Sequence, residues 1–167
     1  VPKMTAREMA AHVEKLAADN GITVGSHSSC GRAWKRKRLV NIRPVKSPVT
    51  YAVALHEIGH VLGKDQSKNR LYAEAGAWAW AVENALTWTD SMTSTMKRLL
   101  GSYLVWARRK HDRGVCNAPT IPEEDHYFWS LLAHDGVAWE PPPPKPPRRR
   151  RGTWTIIERD ENGAVIK

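Results

Sequence analysis

A chain of 167 residues, 41% hydrophobic and 26% charged, has the composition of a folded domain with a tail and excludes a wholly disordered protein. No run approaches the roughly 20 apolar residues of a membrane-spanning helix, and residues 1–20 lack the order of a secretory signal, so no membrane residence is expected and the chain reads as cytoplasmic. A net charge of +9 favours anionic partners, and the two cysteines, Cys30 and Cys116, are too few for a disulfide scaffold.

Residues 5–20 predict a first helix, with Met9, Val13 and Leu16 at helical spacing behind Thr5 as a cap and Asn20-Gly21 as a stop. Ile22 to Val24 reads as a short strand, Gly25 to Arg32 as a loop, and Arg38 to Val45 as an edge strand that sets Leu39, Ile42 and Val45 among basic residues. Ser47-Pro48 is a helix start, because serine can cap free amides and proline at the first helical position needs no donor. Tyr51, Val53, Ala54, Leu55, Ile58, Val61 and Leu62 then supply a buried helix that Gly63 ends. A polar turn from Lys64 to Asn69 leads to a second long helix from about Leu71 to Trp88. Thr89 or Asp90 caps a third, running to about Lys110, and Pro122 opens a fourth through Tyr127, Trp129, Leu131 and Leu132.

After Trp139 the composition changes to a proline run and then Arg148, Arg149, Arg150 and Arg151. Residues 140–152 therefore read as a stiff linker that bounds a domain over residues 1–139. Residues 153–167 carry two short apolar runs about Asn162-Gly163, the pattern of a small β-hairpin.

The segment that carries chemistry is His56-Glu57-Ile58-Gly59-His60. Histidines four residues apart lie about 40° apart around a helix and can reach one zinc ion, while Glu57 projects beside them as a general base for water. The ordinary alternative is a pair of structural histidines. Gly59 also fits the zinc reading, since glycine inside a helix costs about 1 kcal/mol relative to alanine and calls for a close packing partner.

A catalytic zinc site takes three protein ligands and keeps one position open, so a third ligand is needed. A metzincin would place a histidine at position 66, where this chain has Gln66, and Asp65 is one residue out of register. No histidine occurs between His60 and His111. Glu74 is better placed, early in the helix after the motif helix. Glu83, nine residues on, faces about 180° away and cannot share the metal with it. The alternative role for Glu74 is a carboxylate favouring the helix N-terminus, worth some tenths of a kcal/mol.

Leu55-His-Glu-Ile-Gly-His60 followed by Glu74-Ala-Gly-Ala-Trp-Ala79 resembles the paired motifs of the ImmA/IrrE-type metallopeptidases, over residues 22–90. In that family the second helix reads roughly Glu-Ala-Asn-x-Phe-Ala, and Gly76 and Trp78 stand here for the asparagine and the phenylalanine. The resemblance implies zinc on His56, His60 and Glu74 with Glu57 activating water. It also implies a protein substrate such as a DNA-binding repressor or regulator, which would place the basic chain near DNA. The expected fold is thus an α+β, mainly helical, zincin-like metallopeptidase domain with a small strand region before the motif helix.

An electrophile for the oxyanion is also expected, and Tyr51, Tyr72, Tyr103, His111, His126 and His134 all qualify. The helical-region tryptophans read as core residues ahead of base-stacking platforms. The basic clusters Arg32 to Arg43, Arg108 to Arg113 and Arg148 to Arg151 could be solvated surface or could grip phosphates. They sustain a second reading, a non-catalytic zinc-containing regulatory module that binds DNA or an acidic protein, and a third, a nucleic-acid-binding protein with an accidental motif. Nothing in the sequence fixes an oligomeric state.

Overall fold

The computed structural model describes residues 4–26 and 31–143. Cys30, Arg148 to Arg151, the hairpin expected within 153–167 and most of the 140–152 linker lie outside the described residues. The chain is α+β and mainly helical, with five α-helices and one three-stranded sheet among the described residues. None of these helices is long and apolar enough to cross a membrane.

Helix α1, Ala6–Asp19, starts at Thr5, whose side chain accepts from the Glu8 amide while the Glu8 carboxylate accepts from the Thr5 amide. This reciprocal cap satisfies two amides that the first turn leaves without partners. Met9, Val13 and Ala17 form its buried stripe. The chain then crosses through Ile22 into strand β1, Thr23–Ser26.

Strand β2, Arg32–Trp34, and strand β3, Leu39–Ile42, are joined by a short 3-10 turn at Lys35–Lys37 and by Arg38 in the left-handed region, φ 47°. The sheet order is β1-β3-β2, with β1 parallel and β2 antiparallel to β3. The strand expected at the edge is therefore the central one. Its alternation runs through Val40 and Ile42, both buried, while Arg38 and Arg43 fall just outside its ends, so no charge is forced into this central strand. The sequence reading placed β2 in or beside a loop.

Helix α2, Pro48–Leu62, lies against α1, β2 and β3 and against both α3, Arg70–Asn84, and α4, Asp90–Asp112. Its most extensive partner is α3. Gly59 allows that approach, because a β-carbon there would collide with the Ala77 carbonyl oxygen. Helix α3 ends at Asn84, short of the expected Trp88, because the Leu86 amide donates to Tyr51 Oη at 3.1 Å. Thr89 caps α4. Helix α5 is confined to Tyr127–Leu132, capped by His126 at its start, so Pro122 belongs to the approach to the helix rather than to its first turn.

The core joins Val13, Val40, Leu55, Ile58, Leu71, Trp78, Met92, Met96, Leu100, Leu104 and Phe128. Trp80, Trp88, Trp129 and Trp139 pack against it, and Trp106 is 39% exposed beneath Lys110.

Candidate metal centre

Local chemistry fixes the start of α2. Ser47 Oγ accepts from the Thr50 amide at 3.2 Å, and Thr50 Oγ1 accepts from the Ser47 amide at 2.9 Å. Nine of its 15 residues are buried, among them His56 and Glu57. A polar turn carries the chain into α3, whose fifth residue is Glu74. Glu74 thus lies beyond the first turn, where the helix dipole gives a carboxylate little return. It is 1% exposed, so its burial needs another cause.

That cause is the pair of histidines. His56 Nε2 lies 3.1 Å from His60 Nε2 and 3.2 Å from Glu74 Oε2, and His60 Nε2 lies 3.6 Å from the same oxygen. A tetrahedral site with bonds of about 2.0–2.1 Å has edges of about 3.3–3.4 Å, so the triangle has the dimensions of three of its corners. His56, His60 and Glu74 form a group that could hold a metal ion.

The neighbours orient each of the three. Gln66 Oε1 lies 2.9 Å from His60 Nδ1, and it faces that way because the Gln66 amide donates to the Ala73 carbonyl at 2.6 Å and to the Lys64 carbonyl at 3.1 Å. An oxygen at this place requires the proton on His60 Nδ1, which directs the Nε2 lone pair of a neutral ring into the cluster. Arg70 Nε donates to Glu74 Oε1 at 3.0 Å and leaves Oε2 for the histidines. His56 stacks on Trp78 with centroids 4.2 Å apart. Its Nδ1 is buried without a partner among the described residues, so the ring gains its polar return through Nε2 alone.

The electrostatics agree with this division. Burial pulls His56 down to about 4, which keeps it neutral near pH 7. Burial also opposes charge on His60, but the hydrogen bonds with Glu74 and Gln66 and the nearby carboxylates outweigh it and hold its pKa above the ordinary value. Burial pushes Glu74 upward, and the bonds to both histidines overcome it, leaving the carboxylate ionised. The cluster therefore attracts positive charge, as a proton on His60 or as a metal cation. Both fit the donor set.

Glu57 differs from Glu74 in kind. Burial pushes it up to about 7, so it can change protonation state near neutrality. Gly31, just before β2, packs so closely that a β-carbon there would collide with the Glu57 side chain. Both carboxylates open onto one cleft of about 1060 Å³.

Of the proposed electrophiles, only Tyr103 lines this cleft among the described residues. Its hydroxyl accepts from Arg70 Nη2 at 3.0 Å. Tyr51 instead lies 2.7 Å from His12 Nδ1, His111 contacts the Pro119 carbonyl, and His134 packs on Trp88. Tyr72 packs edge-on against His126. Asp65 accepts from Tyr127 Oη at 2.6 Å and pairs with Lys68 at 2.9 Å, while Glu83 is exposed.

Sequence reasoning missed Gln66, Arg70 and Gly31. Only Arg70 left a signal, its spacing of one helical turn before Glu74. Gly76, where the resembling family has asparagine, is required here because a β-carbon would collide with the Lys64 carbonyl oxygen. Compared with protein-family models, curated proteins and solved structures, the chain finds no match.

Proposed function

We propose that the chain is a zinc-dependent peptidase with a zincin-like site, in which His56, His60 and Glu74 hold zinc and Glu57 moves the proton. The observation that carries this reading is the convergence of three ligand atoms beside the buried carboxyl group of Glu57 on one cleft. Zinc, when bound, would supply Lewis acidity toward the scissile carbonyl and the attacking water.

The residues of the chain account for the rest. Glu57 accepts a proton from water as the water oxygen attacks the carbonyl carbon, then returns it to the leaving amine nitrogen as the C–N bond breaks. Tyr103 accepts a hydrogen bond from Arg70 and lines the cleft, and turning its hydroxyl proton from Glu74 toward an oxyanion there would make it the electrophile. Burial and the carboxylate of Glu74 both raise the Tyr103 pKa, so that proton is held at neutral pH.

The likeness of the paired motifs to ImmA/IrrE-type metallopeptidases supports the assignment of Glu74 and extends the proposal to the substrate, a DNA-binding repressor or regulator. Exposed arginines at 32, 36, 38 and 43 favour the second reading, a module that keeps the metal and acts by binding. Elemental analysis and a cleavage assay separate the two. The peptidase reading expects about one zinc per chain, lost in a His56→Ala, His60→Ala double variant and weakened in Glu74→Ala, with cleavage abolished in Glu57→Gln while zinc is retained. Zinc without cleavage of any supplied peptide or repressor would favour the binding module, and no zinc in a folded parent after metal is supplied would sink both.

A further inference from the structure

We infer that the cleft over the metal centre selects acidic peptide segments, with Asp or Glu side chains flanking the bond to be cut; this rests on the peptidase reading of the same site. The cleft is lined by Arg32, Lys35, Arg43, Lys68, Arg70 and Arg98, whereas its carboxylates are Glu57 and Glu74, both committed to the centre. Arg70 is neutralised by Glu74 and Lys68 by Asp65. Arg32, Lys35, Arg43 and Arg98 are exposed and have no carboxylate partner among the described residues. They come from both walls, the first three from the sheet side and Arg98 from α4, so a chain lying across the centre meets uncompensated positive charge on either hand.

A nucleic acid would also answer that charge, and two features favour a peptide. Sites for single strands stack bases on aromatic rings. This chain has eight tryptophans, yet among the described residues none lines the cleft, and the rings that do are His56 and His60 of the centre and Tyr103, which is bonded to Arg70. The cleft is also bordered by β2, which among the described residues is an edge strand of the sheet and contributes Arg32 and Ala33 to the lining. An edge strand offers unpaired amides and carbonyls to an extended peptide, which a nucleic acid does not match.

The test uses fluorescent peptides of one sequence in which Asp and Glu are replaced by Asn and Gln. Binding to zinc-loaded Glu57→Gln protein is read by anisotropy, and cleavage by the parent is read separately. The expected result is about fivefold tighter binding for each acidic residue, weakened by added salt. An Arg43→Glu, Arg98→Glu pair in the same background should abolish the preference, because two added carboxylates offset the remaining Arg32 and Lys35, without changing thermal unfolding, since both side chains are exposed. Equal binding of the acidic and amide peptides would overturn the inference. So would a labelled single-stranded oligonucleotide that binds more tightly than the acidic peptide and is lost in the same variant. Neutral peptides cleaved as fast as acidic ones would overturn it while leaving the peptidase reading intact. Acid-selective binding with no cleavage of any peptide by the zinc-loaded parent would support acidic recognition and count against catalysis.

Discussion

Replacing Gln66 with leucine and, separately, with glutamate tests how the centre is held. In the parent, Gln66 Oε1 accepts from His60 Nδ1 at 2.9 Å, and its amide donates at 2.6 and 3.1 Å to two carbonyls of the turn and of α3. Leucine removes all three bonds. The lost orientation of His60 should weaken zinc about 10- to 100-fold, and two carbonyls left without donors should cost about 1 kcal/mol each in the metal-free protein. Glutamate keeps an acceptor for His60 but sets an oxygen against both carbonyls. It should therefore hold zinc at least as well as the parent, yet lose about 2 kcal/mol or more of metal-free stability. Zinc affinity read by competition with a coloured chelator, and stability read by denaturant unfolding in a chelating buffer, separate the two quantities. If both variants bind zinc as the parent does, Gln66 does not orient the ring and the argument for the His60 tautomer fails.

Gly59→Ala gains about 1 kcal/mol of helix propensity but forces α2 away from the Ala77 carbonyl, and a net loss of roughly 1–3 kcal/mol is expected together with weaker zinc binding, since Glu74 rides on α3. Unchanged affinity would mean the helix spacing does not set the site. The raised pKa of Glu57 predicts a pH signature in the metal-free protein. An acid whose folded pKa lies above its unfolded value contributes stability below the unfolded value, about 4.5, and loses it as pH rises through about 7. Glu57→Gln lacks that loss, so its stability relative to the parent should grow by on the order of 2 kcal/mol between pH 4 and 8, and a flat difference would refute the burial argument. Gly31→Ala should displace the Glu57 side chain and lower kcat while zinc content stays at the parent level; an unchanged kcat would show that the Gly31 contact is not needed to place it.

What the sequence made legible was local. The Ser47-Pro48 start, the four-residue spacing of His56 and His60 and the phase of Glu74 against Glu83 are written within one or two helical turns each, and the structure brings the three ligand candidates together. The misread elements depend on distant partners. Strand β3 becomes central through pairing with β1 on one side and β2 on the other, and β2 is only three residues long. Helix α3 stops where Tyr51, 35 residues away, takes the Leu86 amide. Gln66 gave no signal, because its value lies in which way its amide is turned. Tyr103 could not be told from the other tyrosines until α4 was folded against Arg70.

The link from Tyr103 through Arg70 to Glu74 has a mechanical consequence. It ties Glu74, the candidate third ligand on α3, to the middle of α4, the longest helix among the described residues. A load that shifts α4 along α3 would pull on one carboxylate oxygen and rotate the other away from the histidines. The spacing of α4 against α3 is thus coupled to the geometry of the candidate metal site through a single guanidinium.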